Sequence, residues 1–149
     1  MKVYTDGATS NNGYEGAIGG WAYIVLSDDL KEHFHNSGFI KDATNNICEL
    51  SAALYGCEAV AHLSEKHIIY SDSAYLVNCY KEKWYKKWQK NGWINSSRQP
   101  VKNKELWEKL IPYFESERFS FERVPGHSGN KWNEEADRLA VEAKEAKNG

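Results

Sequence analysis

The sequence predicts an α/β protein on a five-stranded mixed sheet, three antiparallel strands then two parallel ones, with helices packed on it. Three observations predict it. The first 40 or so residues hold three strand-like runs joined by turns, which reads as an antiparallel meander. Helical periodicity takes over at Thr44. Short apolar strands then return after helical stretches, and a helical crossover within one sheet implies parallel pairing with the first strand.

Val3–Ala8 reads as the first strand, followed by the polar, turn-like Ser10-Asn11-Asn12-Gly13. Ile18–Leu26 is the second, with Gly19-Gly20 ahead of Trp21-Ala22-Tyr23-Ile24-Val25. Asp28-Asp29 marks a turn, and Lys31–Ile40 alternates as the third. Thr44 and Asn45 are good N-caps for a helix running to about Leu63, with Ile47, Leu50, Leu54, Cys57 and Ala61 at helical spacing. His67–Ser71 is a short apolar strand. Residues 73–82 form a helix with Tyr75, Leu76 and Cys79 on one side. A basic segment with Trp84, Trp88 and Trp93 follows, then a loop over 91–97. Asn103–Phe114 is amphipathic through Leu106, Trp107, Leu110 and Ile111. Arg118–Val124 is the last strand and Asn133–Lys147 a charged, Ala-rich helix. No internal repeat, low-complexity run or linker divides the chain, so residues 1–149 are read as one domain.

A chain of 149 residues, 41% hydrophobic, suffices for one core. No leader and no membrane-length apolar run is visible, so a cytoplasmic protein without a membrane partner is expected. Cys48, Cys57 and Cys79 have no zinc-ligand spacing, and their odd number argues against a disulfide framework. The net charge of −2 argues by itself against a nucleic-acid partner. The distribution of that charge points the other way. Residues 81–104 carry eight cations against Glu82 alone, a net of +7, and this local patch is what phosphate binding needs.

Four acids stand out: Asp6 in Thr5-Asp6-Gly7, Glu49 in the first helix, Asp72 in Ser71-Asp72-Ser73, and Asp137 after Pro125-Gly126-His127-Ser128-Gly129. Each is flanked by apolar or small residues, as if held at the edge of a core. Singly, each has a plainer reading. Asp-Gly is a common turn, a helical Glu is usually solvated, and Ser71-Asp72-Ser73 reads equally as a helix N-cap. Together, several carboxylates converging on one point would repel unless a divalent cation neutralised them. Hard oxygen donors suit magnesium or manganese. A pair of such ions serves phosphodiester cleavage, so the residues point to a metal-dependent nuclease.

The motifs Thr5-Asp6-Gly7, Thr44-Asn45-Asn46-x-x-Glu49-Leu50-x-Ala52-Ala53, Ser71-Asp72-Ser73-x-Tyr75, Lys102-Asn103 ahead of Leu106-Trp107, and Gly126-His127-x-Gly129 followed by Asn133-Glu134-x-x-Asp137 occur in this order over nearly the whole chain. In this the sequence resembles the type 1 ribonuclease H family, catalytic domain only. The resemblance implies the ribonuclease H-like sheet with helices on both faces. It also implies a monomeric endonuclease with no obligate protein partner. Such an enzyme cuts the RNA strand of RNA–DNA hybrids with two Mg2+ ions, Mn2+ being a possible substitute, and leaves 5′-phosphate and 3′-hydroxyl ends. By resemblance, Asp6, Glu49, Asp72 and Asp137 hold the metals. Asp6 bridges both ions, Asp137 shares the ion of the attacking water, and Glu49 and Asp72 share the other. His127 matches a mobile histidine that assists proton transfer or product release, and Glu134 an auxiliary acid.

The basic protrusion around 81–104 mixes Lys86, Lys87 and Lys90 for phosphates with aromatic rings for sugars or bases. Trp84 and Trp88, four apart, should share a face packed on the core while the lysines stay solvated. By resemblance, Tyr75, Trp88 and Ser96 line a channel for the DNA strand. Thr44 and Asn103 form a phosphate pocket, and Asn12 and Asn45 lie near the hybrid's sugars. Telling RNA from DNA requires a contact to the 2′-hydroxyl. The chain departs from the family pattern at Asp42, where a basic residue is common, at Ala74, and in the Asn12–Gly20 loop. None of these is an expected metal ligand.

Overall fold

Alternation of side chains across an extended backbone sends Val3 and Thr5 to one side of the first strand and Tyr4 and Asp6 to the other, and all four are buried. A strand buried on both sides belongs in the middle of a sheet. The computed structural model, which describes residues 1–10, 14–124 and 130–146, places it there. The elements are β1 (Lys2–Ser10), β2 (Ile18–Leu26), β3 (Glu32–Lys41), α1 (Asn45–Val60), β4 (His67–Ser71), α2 (Ala74–Glu82), α3 (Trp84–Asn91), α4 (Lys104–Phe114), β5 (Phe119–Arg123) and α5 (Lys131–Glu145). Their order is the expected one, with the basic segment after α2 forming α3. The sheet runs β3-β2-β1-β4-β5, with β1–β2 and β2–β3 antiparallel and β1–β4 and β4–β5 parallel.

Helices cover both faces. On one, Val3, Tyr23, Val25 and Ile69 pack with Leu50, Leu54 and Cys57 of α1 and, beyond them, Trp107 and Leu110 of α4. On the other, Tyr4, Ile24 and Leu26 pack with Ala136 and Leu139 of α5. There α5 lies directly on the β2 backbone: a Cβ on Gly20 would come within 2.1 Å of the Ala140 carbonyl oxygen.

Helix α1 is not the one-sided helix its spacing suggests. Ser51, Ala52, Ala53 and Gly56 are buried along with Leu50, Leu54 and Cys57, because α1 is wedged between the sheet and α4. It also stops at Val60 rather than Leu63, and the Arg118 guanidinium donates to the carbonyls of Ala61 and Leu63 beyond its end. No local stop signal stands there; the partner comes from the distant approach to β5. At the other end of the chain, α5 begins before Asn133 because Asn130 is its cap, accepting the N–H groups of Trp132 and Asn133 at 3.0 Å each.

The break between α2 and α3 is a single left-handed residue, Lys83, with φ of 56°. Trp84 and Trp88 do share a face, 6.4 Å between ring centroids, and Trp88 also meets Trp93 and Trp107. Tyr85 is the most deeply buried ring of this helix. The three cysteines are free and buried. Among the described residues, no helix is long and apolar enough to cross a membrane.

Candidate active site

Thr5 ties β1 to β4 through a 2.9 Å hydrogen bond from its hydroxyl to the Tyr70 carbonyl. Asp6 follows, only 3% exposed. Gly7 then lets the first turns of α1 lie against β1. A Cβ at Gly7 would stand 2.6 Å from the Cys48 carbonyl carbon and 2.8 Å from the Glu49 nitrogen. Thr44 fixes where α1 starts, its hydroxyl accepting the Ile47 N–H at 3.1 Å. Glu49 therefore falls on the second turn, facing Asp6. The Gly7 N–H bridges the two acids, donating to Asp6 Oδ1 at 2.9 Å and Glu49 Oε1 at 3.1 Å. Asp72 directly follows the last residue of β4, at the carboxyl end of a central parallel strand, where open α/β sheets gather ligands.

One carboxylate oxygen from each of Asp6, Glu49 and Asp72 lies within 4.8 Å of the others. Asp137, on the second turn of α5, reaches the Asp6 carboxyl and adds repulsion at Asp72, but stands outside that tight triad. Burial, then the charges of Glu49 and Asp72, push the Asp6 carboxyl up to about 11. Burial and Asp72 push Glu49 up to about 8 against the pull of the Gly7 N–H and Ser71 hydroxyl, and burial raises Asp72. Among the described residues, none of the three forms an ion pair with Lys, Arg or His. Converging, uncompensated hard oxygen donors fit a divalent cation such as magnesium or manganese.

A pH dependence follows. The folded values of Asp6 and Glu49 lie above their ordinary 3.8 and 4.5. Between the ordinary value and the raised one, the folded state holds more protons than the unfolded chain, so raising the pH there favours unfolding. The metal-free protein should therefore lose stability from about pH 5 to 8 through Glu49, and further toward 11 through Asp6. Magnesium should restore stability at about pH 8 and do little at pH 5, where it must displace protons. Thermal melts in EDTA and in Mg2+ across pH check this; parallel curves would contradict it.

The basic side holds a groove of about 510 Å3. It is lined by Tyr75, Lys87, Trp88 and Ser96, all expected from the sequence, together with Asn46, Trp84, Asn95 and Lys102, which the sequence did not single out as groove residues. Lys86 is not part of the lining; its ammonium is 3.8 Å from Glu115. Lys90 is exposed and also outside the lining. Thr44 serves as the helix cap, and Asn45 beside it is hydrogen-bonded to the Thr9 hydroxyl. Asn103 starts α4 from a left-handed conformation, with φ of 64°. Asn12 and His127 lie outside the described residues, while Glu134 is exposed in the first turn of α5.

The profile of the ribonuclease H family, RNase H, matches residues 1–145. The chain belongs to the ribonuclease H family. It is thus an enzyme, a ribonuclease. It is 43% identical over 143 residues to the ribonuclease H of Clostridium botulinum (strain Hall), covering 95% of this chain and 93% of that one. It is 40% identical over 142 residues to the ribonuclease H of Caldanaerobacter subterraneus subsp. tengcongensis, covering 95% and 89%. The fold is shared with LC11-RNase H1, whose crystal structure is a complex with an RNA/DNA hybrid, at a TM-score of 0.73 and 20% identity over 99% of each chain.

Proposed function

We propose that this ribonuclease H-family enzyme hydrolyses the RNA strand of RNA–DNA hybrids by a two-metal-ion mechanism that leaves 5′-phosphate and 3′-hydroxyl ends. The observation that carries the reading is the convergence of Glu49 and Asp72 on the buried Asp6 with no ion pair to a cationic side chain among the described residues to offset them. When bound, two divalent ions, Mg2+ or Mn2+, activate a water and stabilise the leaving oxygen. Asp6, Glu49, Asp72 and Asp137 would hold the ions, Asp6 serving both, Glu49 and Asp72 one, and Asp137 the other. His127 assists proton transfer or product release. Residues 1–149 act as one domain, and the 81–104 protrusion takes the DNA strand in the groove of Tyr75, Trp88 and Ser96. Thr44 and Asn103 hold a phosphate of that strand, and Asn45 serves the hybrid's sugars, a role that the resemblance also gives Asn12.

The test is cleavage of an end-labelled hybrid beside duplex DNA and duplex RNA, with and without magnesium. Cleavage of the hybrid's RNA strand alone, and only with metal, is expected; metal-independent or indiscriminate cleavage would overturn the proposal. His127→Ala should slow turnover about 10²-fold without abolishing it, since general acid–base help is of that order. A kinetic profile unchanged between about pH 6 and 9 would remove His127 from the mechanism.

The groove also separates two adjacent lysines. Lys87→Ala should raise KM for a hybrid and reduce the log–log salt slope by roughly 0.7–0.9, the loss of one phosphate contact. Lys86→Ala should leave the slope unchanged and alter stability by no more than about 0.5 kcal/mol. KM titrations across salt concentrations decide; equal effects from both variants would contradict the lining.

A further inference from the structure

We infer that Ser71 is a positioning residue for two of the metal-holding acids, an inference that rests on the two-metal reading above. Ser71 closes β4 and is 1% exposed. Its backbone is fixed in the sheet: it pairs with Arg123, and its carbonyl accepts the Val124 N–H at 2.9 Å. Its hydroxyl oxygen accepts the Ser73 N–H at 3.1 Å, which leaves one proton to donate. Glu49 Oε2, 3.5 Å away, is the acceptor that proton faces. The separation is long for a hydroxyl–carboxylate bond. A buried hydroxyl nonetheless takes the acceptor within reach.

Glu49 is thus addressed at both oxygens, Oε1 by the Gly7 N–H at 3.1 Å and Oε2 by Ser71. Two neutral donors fix the plane of a carboxylate without cancelling its charge, as a lysine or arginine would. The remaining lone pairs stay available toward Asp6 and Asp72. The same hydroxyl shapes the backbone that carries Asp72, because the bond from Ser73 to Ser71 spans Asp72 in a tight turn. Ser73 then caps α2 by accepting the Leu76 N–H at 3.2 Å. One hydroxyl therefore orients Glu49 and sets the turn that presents Asp72.

The test compares Ser71→Ala, Ser71→Val and Ser71→Thr, of which Val and Thr share a shape and differ in the hydroxyl. Mn2+ binding to the substrate-free protein is measured by calorimetry, and kcat and KM for a hybrid are measured across Mg2+ concentrations, with a thermal melt to verify folding. Ala and Val should weaken Mn2+ binding and lower kcat by about 10-fold, the usual cost of removing a group that orients a ligand. KM for the hybrid should stay unchanged at saturating Mg2+, and Thr should stay near wild type. Val equal to Thr, with Ala equal to wild type, would overturn the role of Ser71. Should Val and Thr be equally impaired, Ala decides: wild-type Mn2+ affinity in Ala overturns the role, and a 10-fold loss supports it. Wild-type protein that cleaves hybrid yet binds no Mn2+ would instead overturn the two-metal reading.

Discussion

Asp6→Asn is expected to lose hydrolysis by about 10³-fold or more, a barrier increase of about 4 kcal/mol, while the fold becomes more stable. The carboxylate is 3% exposed and faces Glu49 and Asp72. An amide of the same shape keeps the Gly7 N–H as a donor to its oxygen but lacks the charge that the proposed two-metal mechanism asks of Asp6. Removing the most strongly raised acid of the cluster relieves burial and repulsion together. At about pH 8 without metal, stabilisation of about 2 kcal/mol is expected, a rise of roughly 4–8 °C in the thermal midpoint. The fall in stability toward high pH should also flatten, since asparagine does not titrate. Turnover near wild type would sink the assignment of Asp6; an unchanged or lowered midpoint would sink its electrostatic description.

Gly7→Ala should damage both stability and activity, although it adds one methyl group. That methyl would sit 2.6 Å from the Cys48 carbonyl carbon and 2.8 Å from the Glu49 nitrogen, backbone atoms that cannot rotate aside. Strand β1 and helix α1 must separate there, at a cost of about 1–3 kcal/mol for overpacking. The separation moves Glu49 away from Asp6 and breaks the N–H bridge between them. Activity should fall by about 10²-fold even where circular dichroism shows the protein folded, since misplacement of about 1 Å has that cost. Wild-type turnover with an unchanged midpoint would show that the close approach of α1 to β1 is not needed.

Both variants lie in motifs legible from the chain alone, and the reasons are local. Thr5-Asp6-Gly7 joins an acid to a residue without a side chain, Thr44 is a strong cap, and Ser71-Asp72-Ser73 ends an apolar strand. The element order and the mixed sheet were legible too, because strand alternation, helical period and the parallel crossover rule act over short spans. Neighbouring detail was not. The end of α1 at Val60 is followed by carbonyls that Arg118 satisfies from 55 and more residues away in sequence. Asn130 and Asn133 are both acceptable caps by composition, and only the path of the chain into α5 selects Asn130.

The sequence by itself determined the family and the sheet and helices, and it singled out the four candidate acids, since residue type and spacing carry that information. Only the tertiary structure decided how those acids meet. The 4.8 Å convergence of Asp6, Glu49 and Asp72 depends on Gly7 admitting α1 and on the pairing of β1 with β4. The placing of Asp137 outside the triad depends on how α5 packs across β2. The turning of Lys86 toward Glu115 while Lys87 lines the groove depends on the rotation of α3 about its buried Tyr85 and Trp88. In each case the deciding contact joins residues far apart in sequence. Its geometry is a compromise among many packed groups, and no local pattern of residues encodes it.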